Sequence, residues 1–248
     1  DLGESFGNYT LGMDSEVLNH VTSANVACGW HAGDPLIMEA TVRMCKEKGV
    51  AVGAHPGYPD LMGFGRRAMA VNPGEAKAYM IYQLGALQAF CDSYGVTLQH
   101  MKLHGAFYNT ACVTPALADA VLDGLQAVNP NIAAMVLSGS YIAKEAERRG
   151  IPVIQEVFAD RGYTDEGTLV PRTEPGAFIK DPQEALERVL MMVKEGKVVT
   201  NTGNTIDIVA DSICVHGDNP EAIAFTKYIR EGLAKAGVTV ANFQDRKK

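Results

Sequence analysis

The sequence lacks the signatures of several common protein classes. It has no cysteine pair at C-x-x-C spacing, no G-x-x-x-x-G-K-[ST] and no G-x-G-x-x-G. It therefore shows no recognisable nucleotide-binding loop. No apolar run approaches the roughly 18 residues that a membrane-spanning helix needs, and no secretory signal peptide is visible.

Positive charge is also scarce. The 248 residues include 22 Lys and Arg against 29 Asp and Glu, a net charge of -7, and the basic block lies at the very end, residues 246–248. This balance argues against binding to nucleic acid or to anionic membranes. The five cysteines form an odd set, which favours free thiols in a reducing compartment, so we expect a cytoplasmic protein.

What the sequence does contain is an alternation of short apolar strands and longer helices. Strands are predicted at residues 23–28, 50–54, 96–103, 132–137, 151–158 and 212–215. Helices are predicted over about 35–48, 72–94, 114–128 and 181–195, with others ending at Arg149 and beginning at Asn219, and a small hairpin at 198–209. A seventh strand is expected ahead of Asp1. The alternation predicts a parallel sheet covered by helices, and the lack of a linker predicts one domain over residues 1–248.

Histidines recur where the predicted strands end. Four of the six, His31, His55, His104 and His216, follow a strand and lie beside glycine or proline. One such histidine is usually a packing residue, but four at equivalent positions predict a shared site. In a barrel the ends of all the strands face one ligand-binding mouth, whereas in an open sheet the ligand usually contacts only two or three strand ends. The spread of polar residues over many strand ends therefore favours a closed (β/α) barrel. His20 and His100 lack this context and are interpreted as structural.

The stretch from Gly53 to Arg67 is the densest of these strand ends. It holds four glycines, two prolines, a histidine, an aspartate and two arginines in fifteen residues. Glycine and proline fix the backbone path, so the polar side chains can be held in one geometry. A loop that only reverses the chain needs no such set of polar residues. Their presence therefore predicts a binding or catalytic loop.

Acidic and basic side chains accompany the histidines. Asp1 with His31 and His55 could bind a divalent metal, because imidazole and carboxylate suit ions such as zinc and manganese. Lys102 lies two residues before His104, so both side chains point to one face of a strand. Lysine and arginine at the strand ends could neutralise a carboxylate or phosphate, although ion pairing with local acids is the alternative. The other candidates are Glu4, Asp34, Asp60, Arg66, Arg67, Glu156, Asp160, Arg161, Arg172 and Asp218, of which Asp34 and Asp218 also suit helix capping.

Six blocks resemble the LamB/YcsF family, the family of 5-oxoprolinase A subunits. They are residues 1–7 (DLGESFG), 23–35 (SANVACGWHAGDP), 53–67, 102–109 (KLHGAFYN), 156–163 and 214–218. The likeness extends over essentially the whole chain. Two departures are visible: the family carries another Asp and an Asn just before the position of Asp1, and it often has Phe at the position of Trp30.

The resemblance implies a seven-stranded (β/α) barrel of the glycoside hydrolase/deacetylase type. It also implies ATP-dependent opening of 5-oxoproline (pyroglutamate) to L-glutamate with partner subunits B and C. ATP would then be handled largely with those partners, and a homo-oligomer is possible.

In this interpretation His55, His104 or Glu156 handles the attacking water, and Lys102 and Arg161 hold a carboxylate or phosphate. Asp160 is a further catalytic candidate. The remaining strand-end residues complete the site or hold a metal: Asp1, Glu4, His31 and His216. A metal-dependent hydrolase resembling carbohydrate deacetylases and a non-catalytic partner protein remain the alternatives.

Overall fold

The computed structural model describes residues 1–215 and 220–243, and its elements alternate as the sequence predicts. The strands are β1 Ser23–Ala27, β2 Ala51–His55, β3 Leu98–Met101, β4 Ala133–Leu137, β5 Val153–Phe158, β6 Lys197–Val199, β7 Thr205–Asp207 and β8 Ser212–Cys214. The helices are α1 Asp14–Val17, α2 Pro35–Lys48, α3 Pro73–Tyr94, α4 Gly105–Val113, α5 Pro115–Val128, α6 Tyr141–Arg148, α7 Pro182–Glu195 and α8 Pro220–Lys235.

Six strands form one parallel sheet in the order β1-β2-β3-β4-β5-β8. Strands β6 and β7 form the predicted hairpin, which is antiparallel and separate from the sheet. A parallel sheet needs a crossover between neighbours, and the helices provide it while covering the sheet. The predicted α/β fold with a parallel sheet is confirmed, and its apolar core lies between the strands and helices such as α3 and α5.

Local signals fix the ends of the helices that lead away from the sheet. The Asp34 carboxylate accepts hydrogen bonds from the first backbone N–H groups of α2, and Gly49 ends that helix in the left-handed region. Asn72 and Glu75 form a reciprocal capping box at the start of α3. These are the residue types that satisfy unpaired helix-terminal groups, so helices α2 and α3 each begin at a defined residue.

The sheet is curled into a half-barrel. The Lys102 Nζ atom, at the end of β3, lies 3.2 Å from Asp1 Oδ1 beside β1 and 3.1 Å from Cys214 Sγ on β8. One side chain from the middle of the sheet therefore reaches both edges. Beyond β1, Leu2 forms a parallel bridge with Val26. The seven-stranded barrel and the single domain stay predictions.

Two differences from the expected elements concern the region around His104. Strand β3 is shorter than predicted, and residues 105–113 form helix α4, which the sequence pattern did not reveal. His216 and Asp218, the candidates after β8, lie outside the described residues. Among the described residues no single helix is both long and apolar enough to cross a bilayer; α4 and α5 pass that test only as a pair, and the pair is bent by 115°.

Candidate active site

Three buried histidines meet at the carboxyl ends of neighbouring strands. His55 is the last residue of β2, while His31 and His104 lie within four residues of the ends of β1 and β3. The rings of His31 and His104 stack with centroids 3.7 Å apart and planes 1° from parallel. The His55 ring stands perpendicular to His104, with centroids 4.8 Å apart. The structure thus brings together three of the four histidines that the strand-end pattern singled out.

Backbone carbonyls fix the tautomers of two of these rings. His55 Nδ1 lies 2.8 Å from the Lys102 carbonyl oxygen, and His104 Nε2 lies 2.8 Å from the Phe64 carbonyl oxygen. A carbonyl oxygen only accepts, so each of these nitrogens carries the proton and the other carries a lone pair. Those lone-pair atoms, His55 Nε2 and His104 Nδ1, lie 3.0 Å apart. Two lone pairs facing each other repel unless a cation or a proton lies between them.

A carboxylate completes this group of donors. Glu4 Oε1 lies 3.2 Å from His31 Nε2 and 3.8 Å from His104 Nδ1. One donor atom from each of Glu4, His31, His55 and His104 lies within 4.8 Å of all the others. Imidazole and carboxylate donors suit zinc and manganese, so these residues fit a divalent metal ion. Of the ligands predicted from the sequence, Asp1 lies next to this group, with its Oδ2 3.3 Å from His55 Nε2.

Burial keeps the histidines neutral, as metal ligands or general bases must be. Burial, followed by the nearby charge of Lys102, lowers the pKa of His55 to about 3. Burial also lowers the pKa of His31 and of His104, and the neighbouring imidazoles act in the same direction. Desolvation penalises the charged form of a buried imidazole, so these rings retain their lone pairs at neutral pH.

A buried lysine holds the second half of the site. Lys102 Nζ lies 2.9 Å from Glu156 Oε1 and contacts Asp1 and Cys214 as described above. Burial alone lowers the pKa of this lysine, but Cys214 and Glu156 outweigh it and the net pKa is raised. Tyr108 OH donates to the other Glu156 oxygen, Oε2, at 2.9 Å. Lys102 is therefore a fixed positive charge that neutralises the carboxylates around it.

The Gly53–Arg67 stretch closes one side of the histidine group. The ring of Phe64 contacts His31 and His104 edge-on, with centroids 5.6 Å and 5.1 Å away. The Arg66 guanidinium lies over the same ring, 5.0 Å from its centroid. Asp60 accepts from Gly63 N at 2.9 Å and pairs with Arg67, which holds its pKa below the usual range. This loop therefore holds the imidazoles in place and carries a guanidinium at their edge.

Asp160 and Arg161, which follow β5, lie against the long loop over residues 162–180. Arg161 donates from Nε to the Ala177 carbonyl oxygen at 2.9 Å and from Nη2 to that of Val170 at 2.6 Å. The guanidinium groups of Arg161 and Arg172 each lie 5.2 Å from the centroid of Phe178. Asp160 is half-buried. These donors of Arg161 hold the loop, so its role in binding a substrate carboxylate stays a prediction.

Several groups at the site carried no functional assignment from the sequence. Tyr108 reaches Glu156 from the unpredicted helix α4, and Cys214 reaches Lys102 from β8. Asn25, in β1, donates from Nδ2 to Asp1 Oδ1 at 2.9 Å and accepts from His100. The period-two spacing that relates Lys102 to His104 also places His100 on the same face of β3, and that signal was available in the sequence.

A parallel α/β sheet with its polar groups at the strand carboxyl ends defines a large class of ligand-binding and catalytic proteins. Within that class, the LamB/YcsF family model matches residues 1–248, and the chain belongs to the LamB/YcsF family.

Named relatives agree with this assignment. The chain is 60% identical over 245 residues to the 5-oxoprolinase A subunit of Fusobacterium nucleatum, covering 99% of this chain and 95% of that protein. It is 54% identical over 245 residues to the 5-oxoprolinase A subunit of Pyrococcus abyssi, covering 99% and 96%. It also resembles the crystal structure of a lactam utilization protein from Thermus thermophilus, with a TM-score of 0.92, 45% identity, and 98% and 97% of the two chains covered.

Proposed function

We propose that this chain is the A component of a 5-oxoprolinase, which acts with subunits B and C to hydrolyse 5-oxoproline to L-glutamate with consumption of ATP. The observation that carries this proposal is the 60% identity, over nearly the full chain, to a protein named as a 5-oxoprolinase A subunit. The lactam utilization protein that shares the fold supports a cyclic amide as the substrate.

The chemistry of the substrate explains the need for ATP. A five-membered lactam is a poor electrophile, and phosphorylation of its oxygen would create a leaving group. The sequence carries no phosphate-binding loop, so in this proposal nucleotide is handled largely by subunits B and C. The A component then adds water to the phosphorylated carbon, the ring C–N bond breaks as its nitrogen takes up a proton, and a second water releases phosphate from the resulting acyl phosphate to leave glutamate.

The site divides this work between its two halves. Glu4, His31, His55 and His104 would hold a divalent ion, which supplies Lewis-acid polarisation of the lactam or of a water. The Asp1 carboxylate, next to His55 Nε2, accepts the proton of the attacking water. Lys102 pairs with Asp1 and Glu156 and supplies positive potential near the developing oxyanion. Arg161, beside Asp160, binds the substrate carboxylate or phosphate.

Two structural proposals accompany this function. The segment at Leu2 serves as a seventh strand of a (β/α) barrel; its support is the pair of hydrogen bonds from Leu2 N to Asn25 O at 2.8 Å and from Ala27 N to Leu2 O at 3.0 Å. The protein works in the cytoplasm; its support is that all five cysteines are free and buried, as a reducing compartment favours.

A second candidate function is a metal-dependent hydrolase that acts without partners. The observation in its favour is the group of four metal-binding donors around His55 and His104. A stand-alone enzyme of this kind would deacetylate an N-acetyl sugar with a bound metal and would need neither ATP nor another protein.

Reconstitution distinguishes these functions. The purified A, B and C components are expected to release glutamate from 5-oxoproline only when ATP and all three are present. His55→Ala and His104→Ala are expected to lower the rate at least about 100-fold, the usual scale for a lost general base or metal ligand. His20→Ala, which changes a histidine outside the group, is the matched control. Full-rate ring opening by B and C alone would instead identify this chain as non-catalytic, and deacetylation by this chain alone would favour the second candidate.

A further inference from the structure

The Asp1 carboxylate is held in one orientation by two donors on the same oxygen. Asn25 Nδ2 lies 2.9 Å from Asp1 Oδ1, and Lys102 Nζ lies 3.2 Å from it. The other oxygen, Oδ2, is thereby turned towards His55 Nε2 at 3.3 Å. The orientation of this carboxylate decides whether a lone pair of Oδ2 faces the metal-binding group.

The Asn25 amide is oriented in turn by His100. His100 Nε2 lies 2.7 Å from Asn25 Oδ1. The His100 ring is fully buried, and burial lowers its pKa to about 3, so the ring is neutral and carries one N–H. Amide oxygens face both ring nitrogens, Asn25 Oδ1 at Nε2 and Gln99 Oε1 at Nδ1, and the much shorter contact to Asn25, 2.7 Å against 3.3 Å, assigns the N–H to Nε2. The hydrogen bonds therefore run in one direction, from His100 to Asn25 to Asp1.

The sheet register makes room for this hydrogen-bond relay from His100 through Asn25 to Asp1. Asn25 in β1 is paired with Gly53 in β2, and Gly53 is paired with His100 in β3. A β-carbon at residue 53 would collide with the His100 ring, which passes over that glycine. The ring can cross the middle strand to reach Asn25 because residue 53 has no side chain. A buried imidazole that served only for packing would have no need of this passage.

We propose that His100 and Asn25 are positioning residues, which hold the Asp1 carboxylate with Oδ2 facing His55 and the metal-binding group. This inference deepens the proposed function and rests on it. Partners of this kind orient ligands and bases that contact the reacting atoms, and their loss typically lowers metal affinity or activity by about 10–100-fold.

Four variants separate a positioning role from a purely structural one. His100→Leu removes the N–H at similar size, whereas His100→Gln places an amide N–H near the position of the imidazole Nε2. Asn25→Ala removes the relay at its second member. Gln99→Leu is the matched control, because Gln99 Oε1 faces the other ring nitrogen of His100, Nδ1, at 3.3 Å.

Three measurements are made on the full-length chain. In crystal structures, His100→Leu and Asn25→Ala are expected to show Asp1 Oδ2 turned away from His55, and His100→Gln to keep the contact. Zn²⁺ titration of the chelator-treated chain is expected to show an affinity about 10–100-fold lower for the first two variants. With subunits B and C, kcat is expected to fall by a similar factor with KM within about threefold, and His100→Gln to recover most of the loss.

Each result bears on the inference. Folded His100→Leu and Asn25→Ala proteins that retain both the Asp1–His55 contact and the wild-type kcat would overturn it, as would a loss in Gln99→Leu equal to that in His100→Leu. If the wild-type A, B and C components together release no glutamate, the proposed function fails. The crystal structures and the Zn²⁺ titration then still decide whether His100 and Asn25 position Asp1.

Discussion

The carbonyl oxygen of Phe64 accepts a hydrogen bond from Nε2 of His104. The backbone of Phe64 itself lies in the left-handed region, with φ at 53°. A non-glycine residue in that region is strained, and such strain is retained only where the surroundings enforce it. Here the strained turn places the Phe64 carbonyl against Nε2 of His104, so the proton lies on that nitrogen. The lone pair on the other nitrogen, Nδ1, therefore faces His55. The conformation of this loop and the chemistry of the imidazoles are therefore linked.

Gly65, the next residue, provides a test of this link. Its φ is +63°, and a β-carbon there would lie 2.8 Å from His104 Cδ2 and from His31 Cβ. Gly65→Ala is expected to lower stability by about 1–2 kcal/mol through backbone strain and to lower the rate of glutamate release at least tenfold by displacing the two rings. Gly139→Ala is the control, because φ there is +71° with no atom within 4 Å of the added carbon. Urea unfolding and the reconstituted assay are the measurements, and equal activity of the two variants would contradict the prediction.

Stability is expected to fall as the pH falls from about 6.5 towards 3. Burial, followed by the charge of Lys102, lowers the pKa of His55 and of His100 from 6.5 to about 3. Between those values the unfolded chain binds protons that the native chain does not, so the free energy of unfolding rises with pH. Each such histidine contributes up to about 1.4 kcal/mol per pH unit. Urea unfolding between about pH 7 and about pH 5 measures the slope, and His100→Gln is expected to reduce it by one histidine's share; an unchanged slope would show that His100 is already protonated in the native chain.

Removal of the Lys102 charge is expected to be costly. Lys102→Met leaves Asp1 and Glu156 as uncompensated carboxylates, and loss of one partner of a buried ion pair costs about 3–5 kcal/mol. The double variant Lys102→Met/Glu156→Gln is expected to recover part of that loss. Lys227→Met is the surface control: Lys227 pairs with Glu231 at 4.0 Å with both side chains more than half exposed, and such pairs contribute about 0–1 kcal/mol. A double-mutant cycle by urea unfolding gives the coupling, and a Lys102→Met loss no larger than that of Lys227→Met would refute the buried-charge account.

Metal binding is testable without any substrate. The chelator-treated chain is expected to take up about one Zn²⁺ or Mn²⁺ with a rise in thermal stability, since a ligand at 100 times its Kd stabilises by about 2.7 kcal/mol. Glu4→Gln and His104→Ala are expected to abolish the rise, and His20→Ala to retain it. Elemental analysis and thermal unfolding are the measurements. No uptake by the wild type, or equal uptake by His104→Ala, would show that the donor group holds no metal.

The part of the site that the sequence predicts is the part that topology alone determines. His31, His55 and His104 follow or end parallel strands, and Glu156 lies two residues before the end of β5. The carboxyl ends of parallel strands meet at one edge whatever the details of packing. The sequence could not predict that Glu4, and not Asp1, joins the three histidines in the metal-binding group. Both acids lie in one short segment whose path turns at Gly3, with φ at 69°.

Helix α4 and the relay through His100 were missed for different reasons. Residues 105–113 begin with a glycine directly after His104, so they resembled a loop, and Tyr108 was not expected to reach Glu156. His100 was interpreted as structural because it lies inside a strand, yet a strand interior has one face towards the site. Its partner Asn25 belongs to a strand two places away, and a contact over that sequence distance depends on the register of three strands.

The ammonium group of Lys102 stabilises the curled shape of the sheet. It joins the loop beside the first strand to the last strand, so flattening the sheet would pull its carboxylate and thiol neighbours away from it. The curvature of the sheet and the charge balance of the site therefore depend on each other. A mutation that flattens the sheet far from the active site would also separate Lys102 from its partners and lower activity. Variants selected for greater flexibility of this fold should accordingly lose turnover before they lose their helices.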